Sequence, residues 1–121
     1  MNVSYYHVTD NFMPVIPDAD FSNKWLYVVN YYGQLKNEKI EKISNSAKKL
    51  IVDNVQAFFQ PPVAHVQTIY NCRKYFGVAD GAYLYSDKEL KRDIHKDNSF
   101  NRYEFLRGVL KKLQMNFTHN M

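Results

Sequence analysis

Cysteine occurs once in this 121-residue chain, at Cys72, which excludes an internal disulfide and any multi-cysteine zinc site. The four histidines, His7, His65, His95 and His119, share no ligand spacing with one another or with Cys72, so no metal site is expected. No apolar run reaches the length of a membrane span. The opening residues MNVSYYHVTD lack the basic leader and apolar core of a signal peptide. A cytoplasmic chain is the expectation, and the sequon Asn116-Phe117-Thr118 is then a coincidence of composition. Charge of one sign is not gathered anywhere. The net charge is only +4, Lys36 to Lys49 is interleaved with glutamates, and Lys88 to Lys96 with aspartates. Nucleic-acid footprints are more one-sided than this, so no nucleic-acid partner is expected.

Aromatic residues, in contrast, are plentiful: ten tyrosines and eight phenylalanines in a chain long enough for a single domain at most. That much ring surface needs something to pack against, which points to a further domain or a partner subunit. Val3 to Val8 reads as a short β-rich segment, followed by an irregular connection around Pro14 and Pro17. Trp25 to Asn30 is a continuous apolar run of strand length, the pattern of a strand buried on both faces. From Leu35 to Leu50 the period becomes helical, with Ile40, Ile43, Ala47 and Leu50 on one side and charged residues on the other. Asn37 is placed to cap that helix. A strand over Leu50 to Val52, ending in Asp53, then completes a strand-helix-strand unit between parallel strands.

Val66 to Tyr70 is the third strand and Ala82 to Tyr85 the fourth. No helical pattern joins them, so the fourth is expected to run antiparallel to the third. Tyr83 and Tyr85 alternate with Ala82 and Leu84, as on a half-buried strand. Asp87 to Phe100 is polar and allows one short helix. Tyr103 to Leu113 is a better one, with Phe105, Leu106, Val109, Leu110 and Leu113 on one side. The class is α/β, a mainly parallel sheet with a crossover helix and an antiparallel last strand.

Ligands of open parallel sheets gather at the carboxyl ends of the strands. Three groups fall there: Asn30 to Gln34, Asp53 to Gln56, and Asn71 to Lys74. Asp53 follows three apolar residues, so it is expected to be partly buried and to need a cation or a hydrogen-bond donor. The plainer role for such an aspartate is bracing its loop. Lys74, beside Arg73 and near Gly77 and Gly81, reads on its own as solvated surface charge. Cys72, with no histidine base near it in sequence, reads as a plain buried or loop cysteine, and Asp80 before Gly81 as a turn residue.

The order NYYGQ, a helix, IVDNVQAFF and IYNCRKYFGVADGAYLYSD resembles the middle of the DegT/DnrJ-type sugar aminotransferases. These are pyridoxal-phosphate (PLP) enzymes of the aspartate-aminotransferase fold, and the match spans about residues 25–87. It is closer still to the offshoot of that family found in bacterial polysaccharide gene clusters. The resemblance implies that the sheet is part of a fold-type I large domain. It implies that Lys74 is the catalytic residue, forming the Schiff base with the PLP aldehyde, and that Asp53 faces the pyridine nitrogen. Gln56 then corresponds to the polar residue near the ring face, and Asn71 to a phosphate-binding serine three residues before the lysine. Tyr32-Gly33-Gln34 resembles the family's pocket-wall turn.

Three further positions depart from the family's pattern: Cys72 and Ala79 stand where it has prolines, and Ala82 where it has a second glycine. The resemblance further implies a nucleotide-linked keto-sugar substrate, an amino-acid donor and a homodimer or complementary chain. Residues 1–121 would correspond to one partial domain, a central slice of such an enzyme, without the phosphate-gripping segment or the small domain, and not expected to transaminate alone. Two other readings stay open: a non-catalytic remnant that keeps the sheet, and a small basic interaction protein using its tyrosines.

Overall fold

The computed structural model of the chain describes residues 2–18, 20–78 and 81–89. The expected helix over Tyr103 to Leu113 and most of the polar stretch from Asp87 to Phe100 lie outside them. The elements, in chain order, are β1 (His7–Val8), β2 (Pro14–Val15), β3 (Leu26–Val29), α1 (Asn37–Ser46), β4 (Leu50–Asp53), β5 (Gln67–Asn71) and β6 (Ala82–Tyr85). Strands β1 and β2 pair as a small antiparallel ribbon. The main sheet has the order β3-β4-β5-β6. Its first three strands are parallel and β6 runs antiparallel to β5. The protein is thus α/β with a mixed, mostly parallel four-stranded sheet and one described α-helix.

Strand alternation divides the sheet into two unlike faces. Leu26, Val28, Leu50, Val52, Thr68 and Tyr70 point to one side and are all buried. Helix α1 closes over that side through Ile40 and Ile43, with Ala47 just beyond its last turn. Each such aliphatic side chain contributes about 1.5–3 kcal/mol when fully removed from water. Glu38 in the first turn suits the positive end of the helix dipole. The helix ends where Ala47 turns extended, and the chain enters β4 three residues later.

The other face carries Tyr27, Val29, Ile51, Asp53 and Ile69, none of them fully buried, with Tyr27 45% exposed. The continuous apolar run at Trp25 to Asn30 therefore does not mean burial on both sides. Only alternate residues reach the core, and Trp25 itself is exposed. Strand β6 differs in the same sense. Ala82, Tyr83 and Leu84 are all exposed, because β6 is an edge strand and α1 does not extend over it.

Asn37 is not the helix cap. It is the first helical residue, and Lys36 holds the cap position without a side-chain hydrogen bond. The Asn37 amide instead donates to the Pro61 carbonyl at 3.2 Å and accepts from Gln60 at 2.7 Å. Asparagine was legible as a residue that satisfies backbone near a helix start, but its partner is a distant loop.

Leu35, fully buried at the turn into α1, is a direct test of where the core sits. Leu35→Ala should lower unfolding free energy by about 2–5 kcal/mol, whereas Val15→Ala, on the half-exposed ribbon strand β2, should change it by about 0.5 kcal/mol or less. Urea unfolding of the two variants checks this, and equal losses would remove Leu35 from the core.

Candidate functional site at the carboxyl rim of the sheet

Because β3, β4 and β5 are parallel neighbours, their carboxyl ends emerge along one rim. Register makes this concrete, since Val29 pairs with Asp53 and Asp53 with Ile69. The three loops leaving that rim carry the groups singled out by sequence. After β3 comes a 3₁₀ turn over Tyr31–Gly33, in which Tyr32 (φ 53°) and Gly33 (φ 69°) both adopt the left-handed region. A side chain at position 33 would be strained at that φ.

Beneath the rim lies a closed network of amides. The Asn30 side-chain amide donates to Asn54 Oδ1 at 2.9 Å and to Gln60 Oε1 at 3.0 Å, while Asn30 Oδ1 accepts from the Leu35 N–H at 2.9 Å. Gln60 Nε2 donates to the Leu35 carbonyl at 2.9 Å. The Tyr70 hydroxyl donates to the Gln60 carbonyl at 2.8 Å and accepts from Asn54 Nδ2 at 3.5 Å. Asn30 and Asn54 are almost wholly buried. The loops after β3 and β4 are thereby tied to each other and to Tyr70 near the end of β5. Sequence reading grouped Asn30 and Asn54 with the strand ends but did not join them. The available signal was an asparagine immediately past each apolar strand, where its amide can extend the ladder.

Asp53 sits at the end of β4, half-buried on the sheet face opposite α1. Its Oδ1 accepts from the Val55 N–H at 2.8 Å and its Oδ2 from the Tyr27 hydroxyl at 2.6 Å. The expected donor partners are therefore a backbone amide and a phenol. Burial, and then donation to Asp53, pushes the Tyr27 phenol up to about 12. Tyr27 belongs to none of the sequence motifs, and a tyrosine two residues into an apolar strand gave no signal of its role.

Asn71 ends β5 and caps the 3₁₀ turn Cys72–Lys74, its Oδ1 accepting from the Arg73 N–H at 2.8 Å. Cys72 is buried, and Gly81 passes against it. A Cβ at Gly81 would stand 3.5 Å from Cys72 Sγ, an ordinary contact, and it is the φ of 127° that favours glycine there. Lys74 is exposed at the end of the turn. The residues that follow it, Tyr75 and Phe76, join this turn to the Asp53 loop through their rings. Phe58 packs on Tyr75 and Phe76, with centroids 5.6 and 5.1 Å apart, and on Tyr70 at 6.0 Å. This cluster builds on Tyr70, whose side chain lies on the α1 face, so it stands behind Asp53 rather than over it.

The structure thus brings Asp53, Gln56, Asn71 and Lys74 to two adjacent loops of one rim. Among the described residues it does not pair Asp53 with Lys74. Gln56 Oε1 is buried without a hydrogen-bond partner, an orphaned acceptor in the loop that follows Asp53. A concavity of about 510 Å³, lined by residues including Ala47, Lys48, Leu50 and His65, lies at the opposite, amino end of β4 and β5. The rim is the stronger candidate because the polar groups converge there. At the amino end, His65 Nδ1 and Asp87 Oδ2 are in exposed hydrogen-bond contact. Among the described residues no helix is long and apolar enough to cross a membrane. No family model matches the chain, and neither the curated proteins nor the solved structures give a match.

Two measurements follow from this geometry. Asn30→Ala should cost about 1–3 kcal/mol for each buried group it leaves unpaired, seen as a lowered urea midpoint well beyond that of an exposed control such as Asn45→Ala. The raised Tyr27 value means the folded state favours the neutral phenol. Its contribution to stability is complete below the ordinary tyrosine value of 10.0 and is lost as pH rises from there through about 12. Tyr27→Phe should remove that part of the alkaline stability loss, measured as the difference between the two proteins' unfolding midpoints against pH.

Proposed function

We propose that this chain carries the coenzyme-facing rim of a PLP-dependent aminotransferase-like protein, of the DegT/DnrJ type that acts on nucleotide-linked keto-sugars. The observation that carries the reading is the parallel adjacency of β4 and β5, by which the Asp53 loop and the Asn71-to-Lys74 turn leave the sheet side by side. The orphaned Gln56 acceptor supports it, because a buried carbonyl oxygen without a donor is costly unless something arrives to supply one. The residues present fit such a coenzyme. Asp53 keeps a lone pair on each oxygen beyond its bonds to Val55 and Tyr27, and can accept a ring N–H. Asn71, engaged through Oδ1, keeps its amide N–H groups for a phosphate. Lys74 would hold the coenzyme aldehyde through its ε-amine.

When bound, PLP supplies the electron sink for moving an amino group between an amino acid and a keto-sugar. The chain's own share of the work is to hold the ring-nitrogen proton at Asp53, orient the phosphate at Asn71, and offer one amine at Lys74. That amine reacts only as the neutral base.

The second reading, a module that keeps the sheet without the coenzyme, is favoured by the exposure of Lys74 and of the rings beside it. Phe59 is 75% exposed and Phe76 45%. Incubation with PLP, borohydride reduction and peptide mass spectrometry separates the two. The coenzyme reading expects the adduct on Lys74, its loss in Lys74→Ala, and at least tenfold weaker uptake in Asp53→Asn, roughly the effect of losing one charged hydrogen bond. Modification spread evenly over surface lysines, unchanged by Asp53→Asn, would leave the non-catalytic module.

A further inference from the structure

We propose, resting on the coenzyme reading above, that Tyr27 is the positioning residue for Asp53, holding its carboxylate in one orientation toward the ring nitrogen. An aspartate at a strand end ordinarily braces the loop that follows it. Its own loop supplies one donor, here the Val55 N–H to Oδ1, and that bond alone braces the turn. A carboxylate held only there can still pivot about its side-chain torsions. The Tyr27 hydroxyl comes from a different strand and takes the other oxygen, at 2.6 Å. Bonds from two separate elements leave one orientation of the carboxylate plane.

The position of Tyr27 is itself determined by the sheet. Tyr27 pairs in register with Ile51, so it lies on the same face as Asp53, one strand across and two residues back. A tyrosine spans that diagonal, and phenylalanine at the same place would offer the ring without the donor. The phenol also stays a donor across the whole physiological range, since burial and the Asp53 charge keep its proton on up to about pH 12. Among the described residues the titratable groups acting on this contact are two tyrosines besides Asp53's own carboxylate: Tyr27 itself and Tyr6. Tyr27 faces Asp53 from β3, and Tyr6 from the N-terminal segment acts on Tyr27. Tyr6 is tied to β3 where the Val29 N–H donates to its hydroxyl at 3.3 Å. On the β5 side the register partner of Asp53 is Ile69, which cannot titrate.

A bracing role for Asp53 would need the Val55 bond alone. The second donor is the feature that bracing does not require.

The test uses the full chain with its tyrosine rings isotopically labelled, followed by nuclear magnetic resonance against pH, with PLP affinity measured by absorbance on the same samples. In Asp53→Asn the Tyr27 phenol should fall back toward 10.0, which reads the contact in solution. In Tyr27→Phe PLP should bind roughly tenfold more weakly. A Tyr27 phenol unchanged by Asp53→Asn overturns the proposal. So does a PLP affinity unchanged by Tyr27→Phe, because Tyr27 then serves the loop alone. If the wild-type chain takes up no PLP, the coenzyme reading fails and the positioning role with it, while the Tyr27 shift in Asp53→Asn still reports the hydrogen bond separately.

Discussion

Three loops leave the carboxyl ends of the parallel strands, and a buried set of amides decides whether they form one surface. Asn30 and Asn54 lie at the ends of neighbouring strands, and Gln60 reaches both Asn30 and the carbonyl of Leu35. Burying unpaired amides costs several kcal/mol in a medium that offers no partners, so the network is stabilising only as a closed set. Closure fixes the distance between loops whose sequences are separated by some thirty residues. Asp53 and the turn bearing Lys74 inherit their positions from it, one through Asn54 beside it and the other through Tyr70 and Phe58.

The same sheet explains why so little of the site is enclosed. Helix α1 accounts for one face, with Ile40, Ile43 and Ala47 meeting Val28, Leu50 and Val52 in a single core. On the other face Tyr27, Val29, Ile51 and Ile69 are only partly covered, although their chemistry is that of a strand interior. Asp53 stands at the rim of that face, at the end of the central strand β4. Its carboxylate is therefore accessible while its anchors are rigid, which is the combination a recognition group needs. Among the described residues one group of rings lies elsewhere, the cluster of Phe58, Phe59, Tyr75 and Phe76 around the second loop.

The secondary structure was legible because its signals were local. The three- and four-residue spacing of Ile40, Ile43 and Ala47 gave α1, and the lack of a helical pattern between Tyr70 and Ala82 gave the antiparallel β6. The errors came where a residue's surroundings lie far along the chain. An apolar run at Trp25 to Val29 does not reveal that one face of its sheet is left uncovered. Asn37 has the chemistry of a cap, yet its amide is taken by Gln60 and Pro61, over twenty residues away. Tyr27 was silent for the same reason, since its role appears only when registry sets it diagonally across from Asp53. The candidate residues Asp53, Gln56, Asn71 and Lys74 came from motif order, and the sheet adds that they share a rim.

The contrast between Asp53 and Lys74 bears on what this rim can do. Asp53 is held by two donors, so its orientation costs nothing further at the moment of binding. Lys74 sits at the end of a short 3₁₀ turn, and its long side chain must lose rotamer freedom before it serves any ligand. On the proposed coenzyme reading the two halves of the site thus differ in readiness: the acceptor is preorganised, and the amine still has to be brought into place. The rings of Tyr75 and Phe76, next along the chain from Lys74, pack on Phe58 and remain partly exposed. A ligand or partner that covered them would hide that ring surface from water and order the turn that carries Lys74.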